Sequence, residues 1–229
     1  MKTRIGTLAV LTAALALAPA AQAAPTKVKV RVEGATKTLF EGAVTTDAHP
    51  LNGGDGSGAH ACDGTNGGAS TVPGPTATGA LDDATKAGNL GWIGAYDPSF
   101  SDFIVSKIGP DTATSTQFWG VAVQWKSLEV GGCQFKVSPG EEVLWAYDLF
   151  AKKHILRLSG PERARSGKTV RLKVVDGTTN RPVKGATVGG KKTNGGGVVR
   201  LRLRAKGTKR LKATEPTSVR SNQIAVKVK

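Results

Sequence analysis

Residues 198–213, VVRLRLRAKGTKRLKA, alternate cationic and apolar side chains and decide the fold class of the last third of the chain. Arg200, Arg202, Arg204 and Lys206 stand at every second position, with apolar residues between them. Successive side chains of a β-strand point to opposite faces, so the pattern predicts a strand with one apolar face and a row of cations roughly 6.5–7 Å apart. We expect the apolar face to be buried and the cations to face outward.

The segment around this strand has an all-β pattern. Short alternating stretches between residues 155 and 229 are separated by Gly, Pro and Asn at near-regular intervals, which is typical of a β-sandwich. This segment holds 20 Lys and Arg against 3 Asp and Glu, for a net charge of +17. One interpretation is that the charged row merely keeps an exposed strand soluble. A mixture of positive and negative side chains would do this better than cations alone. We therefore favour an anion-binding role for the four cations of the row.

Charge and aromatic content divide the chain at one place. Residues 24–154 carry 10 Lys and Arg against 14 Asp and Glu, for a net charge of −4. All 12 Phe, Trp and Tyr residues lie at or before Phe150. Each part is long enough to bury a core of its own. The sequence therefore predicts two domains, residues 25–152 and a basic domain of residues 153–229.

The first 24 residues have the features of a secretory signal peptide. Lys2 and Arg4 precede an apolar run, and small residues follow it at Ala21-Gln22-Ala23. The run is too short for an ordinary membrane span, although a single-pass anchor is the alternative. We expect a secreted protein, extracellular or associated with the cell surface, with no transmembrane segment in the mature chain.

The first domain shows a hairpin, one helix and further short strands. TKVKVRVEG alternates Val with Lys and Arg, turns at Gly34 and returns through Leu39 to Val44. Residues 77–87 then repeat Ala and Leu at helical spacing, with Thr76 or Thr78 as N-cap and Gly88 as the stop. Asp82 and Asp83 are assigned to the first turn of this helix, where negative charge is stabilising. The order predicts an α+β domain with the helix packed on one face of a sheet.

Both domains resemble known families. FWGVAVQW at 118–125, followed by SPGEEVLWAYD at 138–148, resembles the bacterial extracellular domains that are similar to the C-terminal β-grasp domain of transcobalamin and intrinsic factor. The sequence departs from that family at Val123-Gln124-Trp125, where Val-Asn-Gly is usual. RPVKGATVGGKKTNGGGVVRLRL resembles the immunoglobulin-like modules of bacterial surface proteins. The resemblances imply a β-grasp-like domain followed by an immunoglobulin-like sandwich, and the first suggests a carrier of a cobalamin-like or glycan ligand.

A long Gly- and Asp-rich loop separates the hairpin from the helix and contains one of the two cysteines. Two cysteines in an exported chain favour a disulfide between Cys62 and Cys133. Zinc bound by these cysteines with His60 and His49 is an alternative, but their spacing matches no compact zinc pattern. A calcium site could use the oxygens of loop residues, although EF-hand spacing is absent. The residues concerned are Asp47, Asn52, Asp55, Asp63 and Asn66.

Three aromatic residues are candidates for ligand binding. Trp125 occupies a predicted turn, and Trp92 and Tyr96 lie in the turn-rich stretch GWIGAYDP. Together they could form an exposed patch that stacks a sugar or another flat ligand, whereas the simpler interpretation is that aromatic side chains such as Phe103, Phe118 and Trp145 fill the core.

The sequence contains no motif or constellation that indicates catalysis. Gly-x-Ser-x-Gly and His-Glu-x-x-His are both missing, and the adjacent Glu141 and Glu142 do not form an acid/base pair. We therefore expect a non-enzymatic binding or scaffold protein without a cofactor or metal, held at an anionic cell-wall polymer or phospholipid surface by its basic domain. Nucleic acid is disfavoured by export and by the lack of aromatic residues in the basic domain. A soluble small-ligand carrier is the second hypothesis, and a secreted hydrolase is the third.

Overall fold

The computed structural model describes residues 23–229, so the predicted signal peptide lies outside the described residues except for its last two positions. No helix in this range is long and apolar enough to cross a membrane. The elements of the first part are β1 (Thr26–Glu33), β2 (Thr38–Thr46), β3 (Leu51–Asn52), β4 (Ala59–His60), α1 (Ala77–Ala87), β5 (Trp92–Asp97), β6 (Asp102–Ile108), β7 (Asp111–Thr112), β8 (Trp119–Val123), β9 (Lys126–Ser127) and β10 (Glu142–Tyr147), with short 3₁₀ turns at Asn66–Gly68 and Leu149–Ala151.

The second part contains only strands. They are β11 (Leu156–Ser159), β12 (Arg163–Ala164), β13 (Thr169–Asp176), β14 (Thr187–Val188), β15 (Lys191–Lys192), β16 (Val198–Arg202), β17 (Gly207–Leu211), β18 (Ala213–Thr214) and β19 (Ile224–Val228). The described chain is therefore mainly β, as predicted, with one α-helix.

A five-stranded sheet in the order β2-β1-β10-β8-β9 forms the centre of the first part. The predicted hairpin is confirmed, because β1 and β2 pair antiparallel with Val28 opposite Val44. Strand β10 pairs parallel with β1 and antiparallel with β8. A second sheet, β5-β6-β7, adds Trp92, Phe103 and Ile108 to the same core.

Helix α1 begins and ends close to its predicted bounds. The Thr76 hydroxyl accepts a hydrogen bond from the Gly79 amide at 3.1 Å, which satisfies one of the free amides of the first turn. Ala80, Leu81 and Ala84 are fully buried against the central sheet. The helical spacing of small apolar residues therefore predicted the packed face correctly.

The central sheet is buried on both faces at its middle strand, β10. Strand β10 sends Val143 and Trp145 into the core beneath α1, while Leu144 and Ala146 join a separate cluster with Ile155 and Val219 from the second part of the chain. This arrangement explains why VLWA in β10 is apolar throughout, since alternation is lost when both faces of a strand are covered. The second part of the chain thus covers the sheet face opposite the helix.

Strands of the second part form three-stranded sheets around one apolar cluster. Their orders are β11-β13-β16, β12-β19-β17 and β15-β14-β18. Leu172 and Val174 of β13, Leu201 of β16 and Val226 of β19 are all buried in this cluster. The expected exclusively β structure is confirmed, and the boundary at residues 152 and 153 stays a prediction.

Candidate anion-binding face

The cation row lies on the outer side of β16, as the alternation predicted. Val199 and Leu201 are 4% and 5% exposed, whereas Arg200 and Arg202 between them are exposed. Arg204 and Lys206 are also exposed, but they follow the last residue of the strand. The row is therefore partly a strand face and partly the start of the loop that leads to β17.

Strand β13 adds cations to the same outer face. Arg171 lies directly opposite Arg200 in the antiparallel register, and the exposed Lys173 lies opposite Val198. Directly opposed side chains point to the same side of a sheet with Cβ atoms about 4.5–5.5 Å apart, so Arg171 and Arg200 repel each other. With the cations of β13 beside those of β16, the positive charge covers a surface and is not confined to a single row. We call this surface the basic face, which consists of Arg171, Lys173, Arg200, Arg202, Arg204 and Lys206.

No carboxylate of the described chain neutralises the basic face. None of its six side chains takes part in an ion pair within residues 23–229, and Arg202 Nε instead donates a hydrogen bond to the Gly167 carbonyl at 2.8 Å. Two of the three acids of the second part are engaged elsewhere: Asp176 pairs with His154 at 2.7 Å, and Glu215 accepts hydrogen bonds from Thr217 and Ser218. The positive potential of the face is consequently directed at solvent.

The expected patch of Trp92, Tyr96 and Trp125 does not exist as one exposed surface. Trp92 is only 8% exposed, because its ring lies in the core and its Nε1 donates to Asp82 Oδ1 at 2.9 Å. Tyr96 stacks on His60 with ring centroids 3.8 Å apart. The expectation of a common exposed patch is wrong.

Trp125 does occupy a turn, but the turn faces the second part of the chain. Gln124 and Trp125 both have positive φ, at 50° and 63°, which is the backbone of a tight hairpin turn between β8 and β9. The guanidinium of Arg157 lies 5.4 Å from the centroid of the Trp125 ring, and Thr178 Oγ1 donates to the Trp125 carbonyl. Trp125 is half-buried, so its role is to join the two parts of the chain.

The predicted disulfide between Cys62 and Cys133 is confirmed, and it links the long loop to the segment before β10. Zinc ligation by these cysteines is therefore wrong, because both sulfurs are in the disulfide. The three carboxylates of the calcium hypothesis do not gather in one group, since Asp55 and Asp63 each accept hydrogen bonds within their own turns. Among residues 23–229, one histidine and two aspartates form a group in a different place.

That place is the contact between the loop after β2 and helix α1. His49 Nε2 lies 3.3 Å from Asp82 Oδ2, and Lys86 Nζ lies 2.5 Å from the same oxygen. One ligand atom each from His49, Asp82 and Asp83 lies within 4.8 Å of the others. Asp82 and Asp83 are in the middle of the helix, so their assignment to its first turn was wrong. Sequence analysis missed the group because no motif connects His49 with a pair of aspartates 33 positions later.

Mutual hydrogen bonding shifts the pKa values of this group. The hydrogen bond to Asp82 raises the pKa of His49 to about 9, against the opposing effect of its partial burial. Burial by itself would raise the pKa of Asp82, but hydrogen bonds from His49, Lys86 and Trp92 outweigh it and lower the pKa to about 2. Burial raises the pKa of Asp83. The group therefore combines a charged histidine with at least one carboxylate anion at neutral pH.

A cleft of about 510 Å³ lies between the two parts of the chain. Polar and charged side chains dominate its lining, and among them Glu33 and Arg220 bind each other. Small-ligand sites of this size are usually apolar with few polar groups. The cleft is thus better suited to a small polar molecule than to a large apolar cofactor.

The sequence matches no protein-family model, and a search of curated proteins finds no match for it.

Proposed function

We propose that this protein is a secreted, non-enzymatic binding or scaffold protein that its basic C-terminal domain holds on an anionic polymer of the cell surface. The observation that carries the proposal is the basic face, where Arg171 and Arg200 are placed side by side with no carboxylate partner among residues 23–229. Like charges directly opposite each other destabilise a sheet. A bound polyanion would attract both arginines and so offset their mutual repulsion.

A linear polymer fits the basic face better than a lipid bilayer does. Proteins that insert into a membrane surface present apolar side chains beside their cations. The exposed large hydrophobic residues of the described chain all lie at or before Phe150, and none is in the basic domain. The same domain has no aromatic residue to stack on nucleobases, which agrees with an extracellular partner.

We further propose that the two domains are a β-grasp-like domain and an immunoglobulin-like sandwich. The hairpin β1–β2, the single helix and the parallel pairing of β1 with β10 support the first assignment. Strands arranged in several small sheets around one cluster support the second. Fold by itself does not specify function, so the anchoring role rests on the basic face.

The N-terminal domain would be the part displayed at the surface. Its contact with the basic domain is tight, since Glu33 binds Lys212 and Arg220 across the junction. The second hypothesis, a small-ligand carrier, is favoured only by the polar cleft between the domains. Thermal-shift measurements with cobalamins and sugars test it, and a saturable rise of the melting temperature would support a carrier.

Binding of the full chain to long-chain inorganic polyphosphate tests the anchoring proposal. Replacing Arg200, Arg202, Arg204 and Lys206 by Ser should weaken binding at least about tenfold, because several charges converge on one surface. The matched control removes the same charge from exposed positions outside β13 and β16, at Arg163, Lys184, Lys227 and Lys229. Affinity should also fall steeply from low to physiological salt, where the screening length is about 8 Å.

Two results would overturn the proposal. Equal losses in the row variant and the control variant would mean that net charge alone governs binding. Binding to vesicles of phosphatidylglycerol and phosphatidylcholine, without binding to polyphosphate, would show that the surface recognises a bilayer and not a polymer.

A further inference from the structure

Strand β2 is an edge of the central sheet, since it pairs with β1 on one side and with no strand of residues 23–229 on the other. The backbone of β1 shows which residues of β2 face outward. The Lys29 amide donates to the Glu141 carbonyl at 2.8 Å, so Lys29 directs its backbone groups toward β10 and not toward β2. Because the backbone groups of successive strand residues point to alternate sides, Val28 and Val30 are residues of β1 that bind β2.

The same alternation leaves three residues of β2 with outward backbone groups. The partners of Val28 and Val30 in β2 have even numbers. The N–H and C=O groups of the odd-numbered Glu41, Ala43 and Thr45 therefore point out of the sheet. All three residues are exposed, and no hydrogen bond within the described range reaches their backbone groups. Strand β2 thus presents a row of unpaired donors and acceptors.

Every other edge strand of the described chain is short, covered or cationic. Strands β3, β4, β7, β9, β12, β15 and β18 have two residues each. The Gly94 amide of β5 donates to the Gly53 carbonyl, and the Leu156 amide of β11 donates to the Val219 carbonyl. Strands β16 and β17 contain two cations each, and charge on an edge discourages pairing with another chain.

Strand β2 has none of these protections. It is nine residues long and contains no Lys, Arg or Pro. Its single charged residue, Glu41, turns its carboxylate back to the molecule, where it binds Lys212 at 2.8 Å and accepts from the Gln223 amide at 2.6 Å. A long edge without such protection is a template for pairing with another chain.

The outward side of β2 is complementary to itself. Two copies that pair antiparallel about Ala43 place Glu41 of one opposite Thr45 of the other, and every outward N–H and C=O group then has a partner. Thr45 is also opposite Lys27 of its own copy, and Lys27 makes no ion pair within residues 23–229. The Glu41 carboxylate of the second copy would therefore lie in one row with a free cation. Sliding the second strand by two positions would either oppose Glu41 to Asp47, which like charges disfavour, or pair fewer outward groups.

We propose that β2 pairs antiparallel with β2 of a second copy, so that two copies form one continuous sheet of ten strands, five from each. An edge contact of this kind is smaller than the roughly 1,000 Å² of a permanent interface, so we expect a reversible dimer with a dissociation constant on the order of 100 µM. The dimer does not depend on the proposed anchoring. Where several copies are held on one polymer, their effective concentration rises and weak pairing becomes populated.

Sedimentation equilibrium of the predicted mature chain, residues 25–229, without any polymer, tests the proposal. We expect the average mass to rise toward that of a dimer between about 10 µM and 1 mM. Ala43→Glu should weaken association at least about tenfold, because it opposes two carboxylates at the centre of the contact. Within one copy the new carboxylate is opposite Lys29, so the variant keeps a favourable pair in its own sheet. The matched control, Thr208→Glu, adds the same charge to edge strand β17 opposite Lys227 and should leave association unchanged.

An exchange of charge identifies the partner as a second copy. Ala43→Lys should also weaken self-association. An equimolar mixture of Ala43→Lys and Ala43→Glu should associate at least as strongly as the wild type, because opposite charges then meet at the centre of the contact. Circular dichroism shows whether each variant is folded. Hydrogen exchange needs no variant: the amides of Glu41, Ala43 and Thr45 should exchange more slowly at high than at low concentration of the wild type.

Four results would overturn the proposal. They are a mass that stays monomeric up to about 1 mM, equal weakening in Thr208→Glu, a mixture that associates no better than its separate variants, and amide exchange in β2 that does not change with protein concentration. Because no polymer is present in these measurements, their failure would leave the anchoring proposal to its own test with polyphosphate.

Discussion

The buried carboxyl group of Asp102 has structural contacts that its sequence context does not predict. Asp102 begins β6, is 5% exposed, and accepts backbone hydrogen bonds from Phe103 at 2.7 Å and from Cys133 at 2.9 Å. It therefore fastens the disulfide-bearing segment to the sheet β5-β6-β7. Burial raises the pKa of Asp102 to about 6, because it outweighs the backbone hydrogen bonds that favour the charged form.

The pH dependence of the free energy of unfolding should show the titration of Asp102. The folded pKa of about 6 lies above the unfolded value of 3.8, so the native state retains a proton that the unfolded state has lost. The contribution of Asp102 to stability is therefore complete below the unfolded pKa and decreases as the pH rises through about 6. Over this window the free energy of unfolding should fall by about 3 kcal/mol more in the wild type than in Asp102→Asn.

Urea unfolding at several pH values between these limits measures the difference. The other carboxylates titrate in both proteins, so their effects cancel in the comparison. Parallel pH profiles for wild type and variant would show that Asp102 stays ionised.

The neighbouring strands β13 and β16 show that one pair of strands can be unfavourable for stability and favourable for binding. Strands β13 and β16 bury Leu172 and Leu201 on one face and oppose Arg171 to Arg200 on the other. The buried apolar face stabilises the fold, so the sheet can tolerate the repulsion between the cations on its outer face. Solubility alone would be better served by alternating signs across the pair.

Arg171→Gln should separate these two effects. The substitution removes a like-charge contact, so the free energy of unfolding at low salt should rise by about 0.2–1 kcal/mol. Affinity for polyphosphate should decrease in the same variant. Arg210→Gln is the matched control, since Arg210 is exposed on β17 opposite Ala225 and has no cation facing it.

Urea unfolding in low salt and a polyphosphate binding assay provide the two measurements. A variant that loses stability while keeping its affinity would contradict both parts of this prediction.

At the scale of the whole molecule, the two parts of the chain are joined by buried charge as well as apolar contact. Glu33 is 2% exposed at the end of β1 and binds Lys212 at 2.5 Å and Arg220 at 2.6 Å. Arg31, 1% exposed on the same strand, pairs with Glu142 of the first part at 2.9 Å and donates a hydrogen bond across the junction to the Arg220 carbonyl. Arg31 and Glu33, which the sequence pattern places on the polar side of the β1–β2 hairpin, therefore lie at the centre of the contact between the two parts of the chain.

Glu33→Gln should therefore destabilise the whole molecule. Removing one partner of a buried ion pair leaves cations without neutralisation, and the expected cost is about 3–5 kcal/mol. Glu41→Gln is the control, because Glu41 contacts the same Lys212 at 2.8 Å but its side chain is 23% exposed. Its loss should cost no more than about 1 kcal/mol.

Urea unfolding followed by tryptophan fluorescence reports the N-terminal part, which contains every Trp, and circular dichroism reports both parts. Similar small losses in the two variants would show that Glu33 does not stabilise the junction.

The sequence by itself determined the local features of this protein. Alternation predicted the hairpin and the strand with the cation row, helical spacing predicted α1, and two cysteines in a chain that we expect to be exported predicted their disulfide. Each of these inferences needs only neighbouring residues or a count. Only the tertiary structure decided that Arg171 faces Arg200, that Trp125 is covered by the second part, and that His49 meets Asp82. These contacts join residues that are far apart in the chain, as Glu33 and Arg220 are at a separation of 187 positions. A local periodicity predicts which face of a strand or helix is buried, but it does not predict which distant side chain will contact that face.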